Sequence, residues 1–426
     1  MLKDKVAQKA LLYDGSKGVM LQLKGLSGGE SAEEWNLTNP EKVCEVYNSY
    51  IDAGADMIQT NTFCANEPSL KNHHLDGQLY EINFEGAHLA LECAKGKGVM
   101  VAASVGPTGL FFEPAGDLTF EMAVHIFKQQ LRPIFDAGVR IVNFETFTDL
   151  NEMRAAMTAA QEIGEFEIIS SMTFDNGRTM SGNTPKSCAV VCSAMGAVLV
   201  GANCSGGPES LLLPISDMHE VVNTPLSVKP NAGLPEMESG TAVFKQSPQD
   251  FASLADDFLQ RGVRLIGGCC GSGPAHICAL REALESLTPP PLKTDFETML
   301  ASPYEVIQYT ANTKTAEMNV CQDSIIDGIK CGDYYCLMDA MPPSVQEADA
   351  VIVDFANLEF DFDMWKFVST LTMFVRKPII LKTQSTQIAQ AFLRVYSGRA
   401  GLIMPHSDFP KYGAVAFDEV LKVAKK

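Results

Sequence analysis

The feature that most constrains this chain is a recurring event. A short apolar run rich in Val, Ile and Met ends in small or polar residues, and an amphipathic helical stretch follows. Near-continuous apolar strands alternating with helices predict a parallel sheet covered on both faces. The pattern places strands at Leu11–Asp14, Met57–Phe63, Val99–Val105, Val139–Glu145, Glu167–Thr173, Ala197–Cys204, Leu226–Pro230 and Arg264–Gly268. Helices are predicted between them, among others at Pro40–Ala53, Leu79–Ala94, Phe120–Ala137 and Leu150–Ile163. Ala53-Gly54, Ala137-Gly138 and Arg261-Gly262 each put a glycine where a helix must stop and feed the next strand. Eight such units in about 280 residues have the arithmetic of a (β/α)8 TIM barrel. A doubly wound open sheet is the alternative, but no Gly-rich dinucleotide turn follows the first strand.

The alternation breaks at Thr288-Pro289-Pro290-Pro291-Leu292, which cannot continue a helix and favours an extended spacer. Residues 1–287 are therefore read as the barrel, 288–300 as a Pro-rich linker and 301–426 as a smaller α/β domain resembling half a barrel. In that second unit, strands are expected at Glu305–Tyr309, Ala350–Phe355, Pro378–Lys382 and Gly401–Met404. Helices are expected near Gln322–Lys330, Met364–Phe374, Thr386–Val395 and Phe417–Lys425.

The charge balance excludes one function class. Lys plus Arg number 33 and Asp plus Glu 52, a net charge of −19, and so acidic a body repels phosphate backbones. Nucleic-acid binding is not expected. No apolar run is long enough to span a membrane, and the N-terminus lacks the pattern of an export signal. A cytoplasmic location is expected. Twelve cysteines without an export signal point to metal binding or catalysis rather than a disulfide framework. Cys93, Cys188, Cys192 and Cys278 lie in helical patterns and read as structural thiols.

In a barrel of this kind, chemistry sits at the C-terminal ends of the strands. Those positions carry Asp14-Gly15, Thr60-Asn61-Thr62, Gly106-Pro107-Thr108, Glu145-Thr146, Asn203-Cys204-Ser205, Asn231-Ala232-Gly233 and Gly267-Gly268-Cys269-Cys270-Gly271. Neighbouring side chains of a strand point to opposite faces, so Cys269 and Cys270 reach one point only if the strand ends there and the backbone turns. Gly268 and Gly271 supply that freedom. With Cys204 from another strand end, three thiolates suit a tetrahedral Zn²⁺ with one open position, the mark of a catalytic site. Buried or redox cysteines are the other reading of the same spacing.

Several segments resemble the zinc-dependent homocysteine S-methyltransferase family, which includes the homocysteine-binding module of cobalamin-dependent methionine synthase. They are Leu11–Val19, Trp35–Pro40, Tyr50–Phe63, Phe144–Thr148, Gly201–Gly207, Pro230–Gly233 and Gly267–Gly271. The resemblance implies that Cys204, Cys269 and Cys270 hold Zn²⁺, and that homocysteine enters as the fourth ligand. It places Glu145 and Asn231 near the amino acid end of homocysteine, with Glu145 binding the ammonium, and assigns Asp14 and Gly15 to the first-strand motif. For Glu145, capping a loop is the alternative role. Val19 stands where the family usually has Thr, so a hydroxyl is lost beside the substrate carboxylate.

More faintly, Val306–Thr315, Gly332-Asp333, Ala348–Phe355 and Pro378–Arg399 resemble the start of the pterin-binding barrel that follows this module in methionine synthase. The resemblance puts Tyr309, Ile352 and Lys382 where carboxylates would hold a pterin ring, with only Asn312 retained, so folate binding is not expected. No Asp-x-His-x-x-Gly cobalamin motif is present. His406 reads as a plain loop residue. The expected activity is homocysteine methylation to methionine, with a methylated corrinoid protein as the preferred donor. The alternatives are a small donor such as S-methylmethionine or betaine, and a non-catalytic homocysteine- or zinc-binding remnant. Phe355, Phe360, Phe362, Trp365, Phe367 and Phe374 are more aromatic surface than a small unit easily hides, which predicts a homodimer through the second unit.

Overall fold

The computed structural model describes residues 1–238, 241–292, 299–355, 362–404 and 412–416. The expected helix Phe417–Lys425, His406 and Phe360 lie outside the described residues. Contacts group the chain into two compact units, Met1–Met180 with Ala197–Thr294, and Ser181–Gly196 with Asp295–Lys426.

The first unit is built on eight parallel strands: β1 (Leu11–Leu12), β2 (Met57–Gln59), β3 (Met100–Val105), β4 (Ile141–Phe147), β5 (Glu167–Met172), β6 (Leu199–Cys204), β7 (Leu226–Pro230) and β8 (Val263–Ile266). From β2 to β8 each strand pairs with the next in sequence, and β8 pairs back onto β1. A bridge between Tyr13 and Met57 closes the ring between β1 and β2. The fold is the expected (β/α)8 barrel. The helices Leu79–Ala94, Phe120–Ala137 and Leu150–Ile163 have the expected bounds. Leu226–Pro230 has the expected bounds; the other strands shift by up to four residues at an end, the largest being β2, which stops at Gln59 rather than Phe63, while β4 runs on to Phe147.

Inward-facing residues of alternating strand positions form layers. The lowest includes Leu11, Met57, Ile141, Ile169, Leu199 and Leu265. The helix Leu2–Gln8 covers this end, burying Leu2 and Val6 against the layer. Glu167 accepts the first free N–H groups of that helix, from Leu2 at 2.8 Å and Lys3 at 2.9 Å. Above the apolar layer the inward positions turn polar: Gln59, Ser104, Asn143, Glu145, Asn203 and Lys229, all buried.

The second unit contains a sheet of five parallel strands in sequential order: β9 (Thr315–Asn319), β10 (Ala350–Asp354), β11 (Ile379–Lys382), β12 (Gly401–Ile403) and β13 (Val415–Ala416). Two expectations are corrected. Val306–Gln308 is not a strand of this sheet; it forms an antiparallel hairpin with Met299–Ala301. The first parallel strand is Thr315–Asn319, whose polar and apolar residues alternate between exposed and buried. A search for continuous apolar runs passes over such an edge strand. One sheet face buries Ala316, Met318, Val351, Val353, Ile379 and Leu381. On the other, Leu300, Ile307 and Tyr309 pack with Ala350, Ile352, Ile380 and Ile403.

Three of the six aromatic residues expected to need a partner are covered inside this unit: Phe355, Trp365 and Phe367 are buried, and Phe355 packs on Phe367 and Phe392, while Phe362 and Phe374 are half-buried. The Lys382 ammonium bridges Glu317 at 2.7 Å and Asp354 at 2.8 Å, so carboxylates do stand at these strand ends, each held by the lysine. Among the described residues, no helix is long and apolar enough to cross a membrane.

Candidate metal centre and active site

The three cysteines expected to converge do so. β6 ends at Cys204, and the backbone turns into the left-handed region at Cys204 (φ +63°) and Ser205 (φ +65°). Two consecutive non-glycine residues in that region cost roughly 1–2 kcal/mol each, which marks a turn held for a purpose. Past β8, the Gly267–Gly271 run turns inward, with Cys269 N–H donating to the Pro230 carbonyl at 2.7 Å and Gly271 at φ +77°. The sulfur atoms of Cys204, Cys269 and Cys270 lie within 4.8 Å of one another. Tetrahedral zinc with sulfur at ~2.3 Å needs sulfurs about 3.8 Å apart. The donor set is soft, partly buried and one ligand short of four, so these residues fit Zn²⁺ with an open position.

Thiol electrostatics agree. The Cys204 thiol is pulled down to about 3 because Cys269 and Cys270 donate to its sulfur, while the Cys270 thiol is pushed up by the same contacts. Three thiols packed this closely do not ionise independently, and a divalent cation is the charge that lets all three do so.

Two asparagines brace the cluster. Asn231 accepts from Cys270 N–H at 3.0 Å and its amide reaches the Ser205 carbonyl at 3.5 Å, tying the two cysteine-bearing turns together. Asn203 donates toward Cys269 Sγ at 3.9 Å and is fixed by Thr146 N–H and Oγ1, both at 2.8 Å. Asn231, which the resemblance puts near the amino acid end of homocysteine, contacts both cysteine-bearing turns here.

Glu145 stands in the polar layer of the barrel interior. Its Oε1 accepts from Gln59 Nε2 at 2.8 Å and Ser104 Oγ at 2.5 Å, and its Oε2 pairs with Lys229 Nζ at 2.8 Å. A substrate ammonium would share oxygens that already have three donors. Lys229 Nζ also donates to Gln59 Oε1 and lies 5.0 Å from the centre of the Tyr13 ring. Burial acts to lower the Lys229 pKa, but Glu145 and Asp14 outweigh it and the net shift is upward. Asp14 is fully buried; its Oδ2 accepts from Gln59 N–H at 2.8 Å and lies 3.8 Å from Lys17 Nζ, while its Oδ1 has no partner. Burial raises the Asp14 pKa against the pull of Lys17 and Lys229. Gly15 is a point of close approach: a Cβ there would meet the Ser272 carbonyl at 2.7 Å and the Tyr50 ring at 2.9 Å.

Lys229, Gln59, Ser104 and the bracing role of Asn203 were not anticipated. The signal was available. A lysine inside Leu226–Pro230, a strand covered on both faces, must meet a buried carboxylate.

Beside the site, Glu152 holds the loop after β3 by accepting from Thr108 N–H at 2.7 Å and Oγ1 at 2.6 Å. Burial pushes its carboxyl up to about 7, against the pull of those two hydrogen bonds. Between about pH 4.3, its unfolded value, and pH 7, the folded chain keeps a proton that the unfolded chain releases. The stability from this group is complete below the unfolded value and is lost as pH rises through 7. Glu152→Gln keeps the acceptor and removes the loss. It should exceed the wild type in stability at pH 8, on the order of 3–4 kcal/mol, with a smaller or reversed difference at pH 4.5, as read by urea unfolding. Equal pH slopes would refute the account of Glu152.

Comparison with known proteins supports this geometry. The sequence model described as homocysteine S-methyltransferase matches residues 11–284. The chain is 24% identical over 429 residues to methionine synthase of Mycobacterium tuberculosis, covering 94% of this chain and 36% of that protein, so it spans about a third of that relative's length. The metallated form of the homocysteine methyltransferase MmuM from Escherichia coli superposes with a TM-score of 0.56 at 25% identity, covering 66% of this chain and 98% of that one. Its oxidised form gives a TM-score of 0.56 at 24% identity, covering 65% and 96%. With the family match spanning more than half of the sequence and the barrel carrying its cysteines together at one rim, the chain belongs to the homocysteine S-methyltransferase family, whose members transfer a methyl group to homocysteine.

Proposed function

We propose that the chain is a zinc-dependent homocysteine S-methyltransferase that forms methionine. The observation that carries this is the convergence of Cys204, Cys269 and Cys270 sulfurs within 4.8 Å at the C-terminal end of the barrel. Zn²⁺ held there would favour the thiolate of homocysteine over its thiol and keep it nucleophilic. The remaining work belongs to the chain. Asp14 Oδ1, buried and without a protein partner, is the carboxylate oxygen free to take the substrate ammonium, with the Glu145 carboxylate near enough to act on the Asp14 charge. Backbone N–H groups of the turn after β1 suit the substrate carboxylate. Free thiols in the site accord with a reducing, cytoplasmic setting.

The proposed methyl donor is a methylated corrinoid protein. Its support is the match to methionine synthase along 94% of the chain, which extends through the second unit. A homodimer remains part of the proposal. Its support is now the outer edge of β9, which pairs only with β10 among the described residues; analytical ultracentrifugation tests it. The functional experiment is a methyl-transfer assay with zinc-loaded protein, homocysteine, and a panel of methylated corrinoid protein, methylcobalamin, S-methylmethionine, betaine and methyl-folate. Methionine formation with the corrinoid donors is the expected result. Turnover with a small donor alone would replace the donor assignment, and binding without turnover on any donor would make the chain a non-catalytic remnant.

A further inference from the structure

The buried pair Lys229–Glu145 has a place in the reaction that the cysteine site alone does not explain. Their side chains are 5% and 6% exposed, so both charges are withdrawn from water. A lysine so deep in a barrel needs a reason, since an apolar pair of similar volume would often be as stable.

Its position supplies one. On adjacent strands, Asn203 of β6 is registered opposite Lys229 of β7, and Cys204 opposite Pro230. Asn203 and Lys229 therefore stand side by side, Asn203 one residue short of Cys204 and Lys229 one residue short of Pro230. Asn203 reaches Cys269 Sγ, and the Pro230 carbonyl holds Cys269 N–H. The Lys229 ammonium is held here by two acceptors, Glu145 Oε2 and Gln59 Oε1.

Three thiolates and Zn²⁺ sum to a charge of −1, and an incoming homocysteine thiolate takes the site to −2. Repulsion within such a centre is large unless a cation lies near it. We propose that Lys229 is a positioning residue for the substrate: its ammonium, locked in the barrel interior by Glu145 and Gln59 next to the cysteine-bearing strand ends, offsets the negative charge that the fourth sulfur adds. Glu145 in this arrangement is the anchor of Lys229 before it is a contact for substrate. The inference rests on the functional reading above and adds to it a specificity for the anionic sulfur of homocysteine over the neutral sulfur of methionine.

The test compares two ligands that differ in sulfur charge. Calorimetry on the zinc-loaded full chain measures Kd for homocysteine and for methionine, with zinc content read by elemental mass spectrometry. Lys229→Met should keep about one zinc per chain and raise the homocysteine Kd about tenfold, since the ammonium interacts with Cys269 while the Glu145 carboxylate at 2.8 Å cancels part of its field. The methionine Kd should move by less than about threefold, and Lys229→Arg should restore the preference. A merely structural lysine would weaken both ligands alike, and that result, or an unchanged homocysteine Kd, overturns the proposal. If Lys229→Met does not fold, Glu145→Gln/Lys229→Met removes the orphaned carboxylate and gives the same comparison. A wild-type protein that binds no homocysteine overturns the functional reading, and this inference with it, whereas wild-type binding with equal losses in the variant overturns the inference alone.

Discussion

Replacing Cys269 with alanine will release the metal and abolish methyl transfer while leaving the barrel folded. One thiolate of three carries roughly 3–4 kcal/mol of metal affinity, on the scale of structural zinc sites divided among their ligands, or about a hundred- to a thousandfold in Kd. Fold and site are separable because Cys269 lies in the turn past the end of β8, and the layer that holds the barrel together is Leu11, Met57, Ile141, Ile169, Leu199 and Leu265 below it. The metal-free variant and the metal-free wild type should unfold within about 1 kcal/mol of each other in urea. Cys204→Ala and Cys270→Ala should behave alike. Full activity in Cys269→Ala would sink the assignment of all three.

The second large effect is on stability. Among the described residues Glu145 is the only carboxylate hydrogen-bonded to Lys229 Nζ, so Glu145→Leu leaves the buried ammonium with one amide acceptor, Gln59, and the more distant charge of Asp14. Breaking a buried pair from one side costs about 3–5 kcal/mol, because the remaining charge is left uncompensated. The first unit should lose that much by urea unfolding at pH 7. Glu145→Leu/Lys229→Met should recover most of it, since no orphaned charge remains. Equal losses in the single and double variants would mean that shape in the polar layer, not charge, sets the cost.

The barrel was legible because its strands are buried on both faces and its helices end in glycines, so each boundary has a chemical cause written locally. Gly138, at φ +108°, closes the helix Phe120–Ala137 as the Ala137-Gly138 stop implied. The cysteine cluster was legible because adjacent thiols at a strand end can meet only through a turn, and glycines flank them. What escaped was held by long-range pairing. Nothing near Lys229 in sequence names Glu145, which lies 84 positions away. Thr315–Asn319 was missed because its alternation is that of a half-exposed edge, whereas the neighbouring Val306–Gln308 looked more apolar and became a hairpin arm. Among the thiols read as structural, Cys188 and Cys192 are buried, but Cys278 is exposed on the outer face of its helix.

X-ray absorption at the zinc edge, recorded on the purified chain before and after homocysteine, tests the central claim most directly. The account predicts three sulfur ligands at ~2.3 Å in the resting protein and four with homocysteine bound. A sulfur count that stays the same on adding homocysteine, or zinc bound without these three sulfurs, would contradict it.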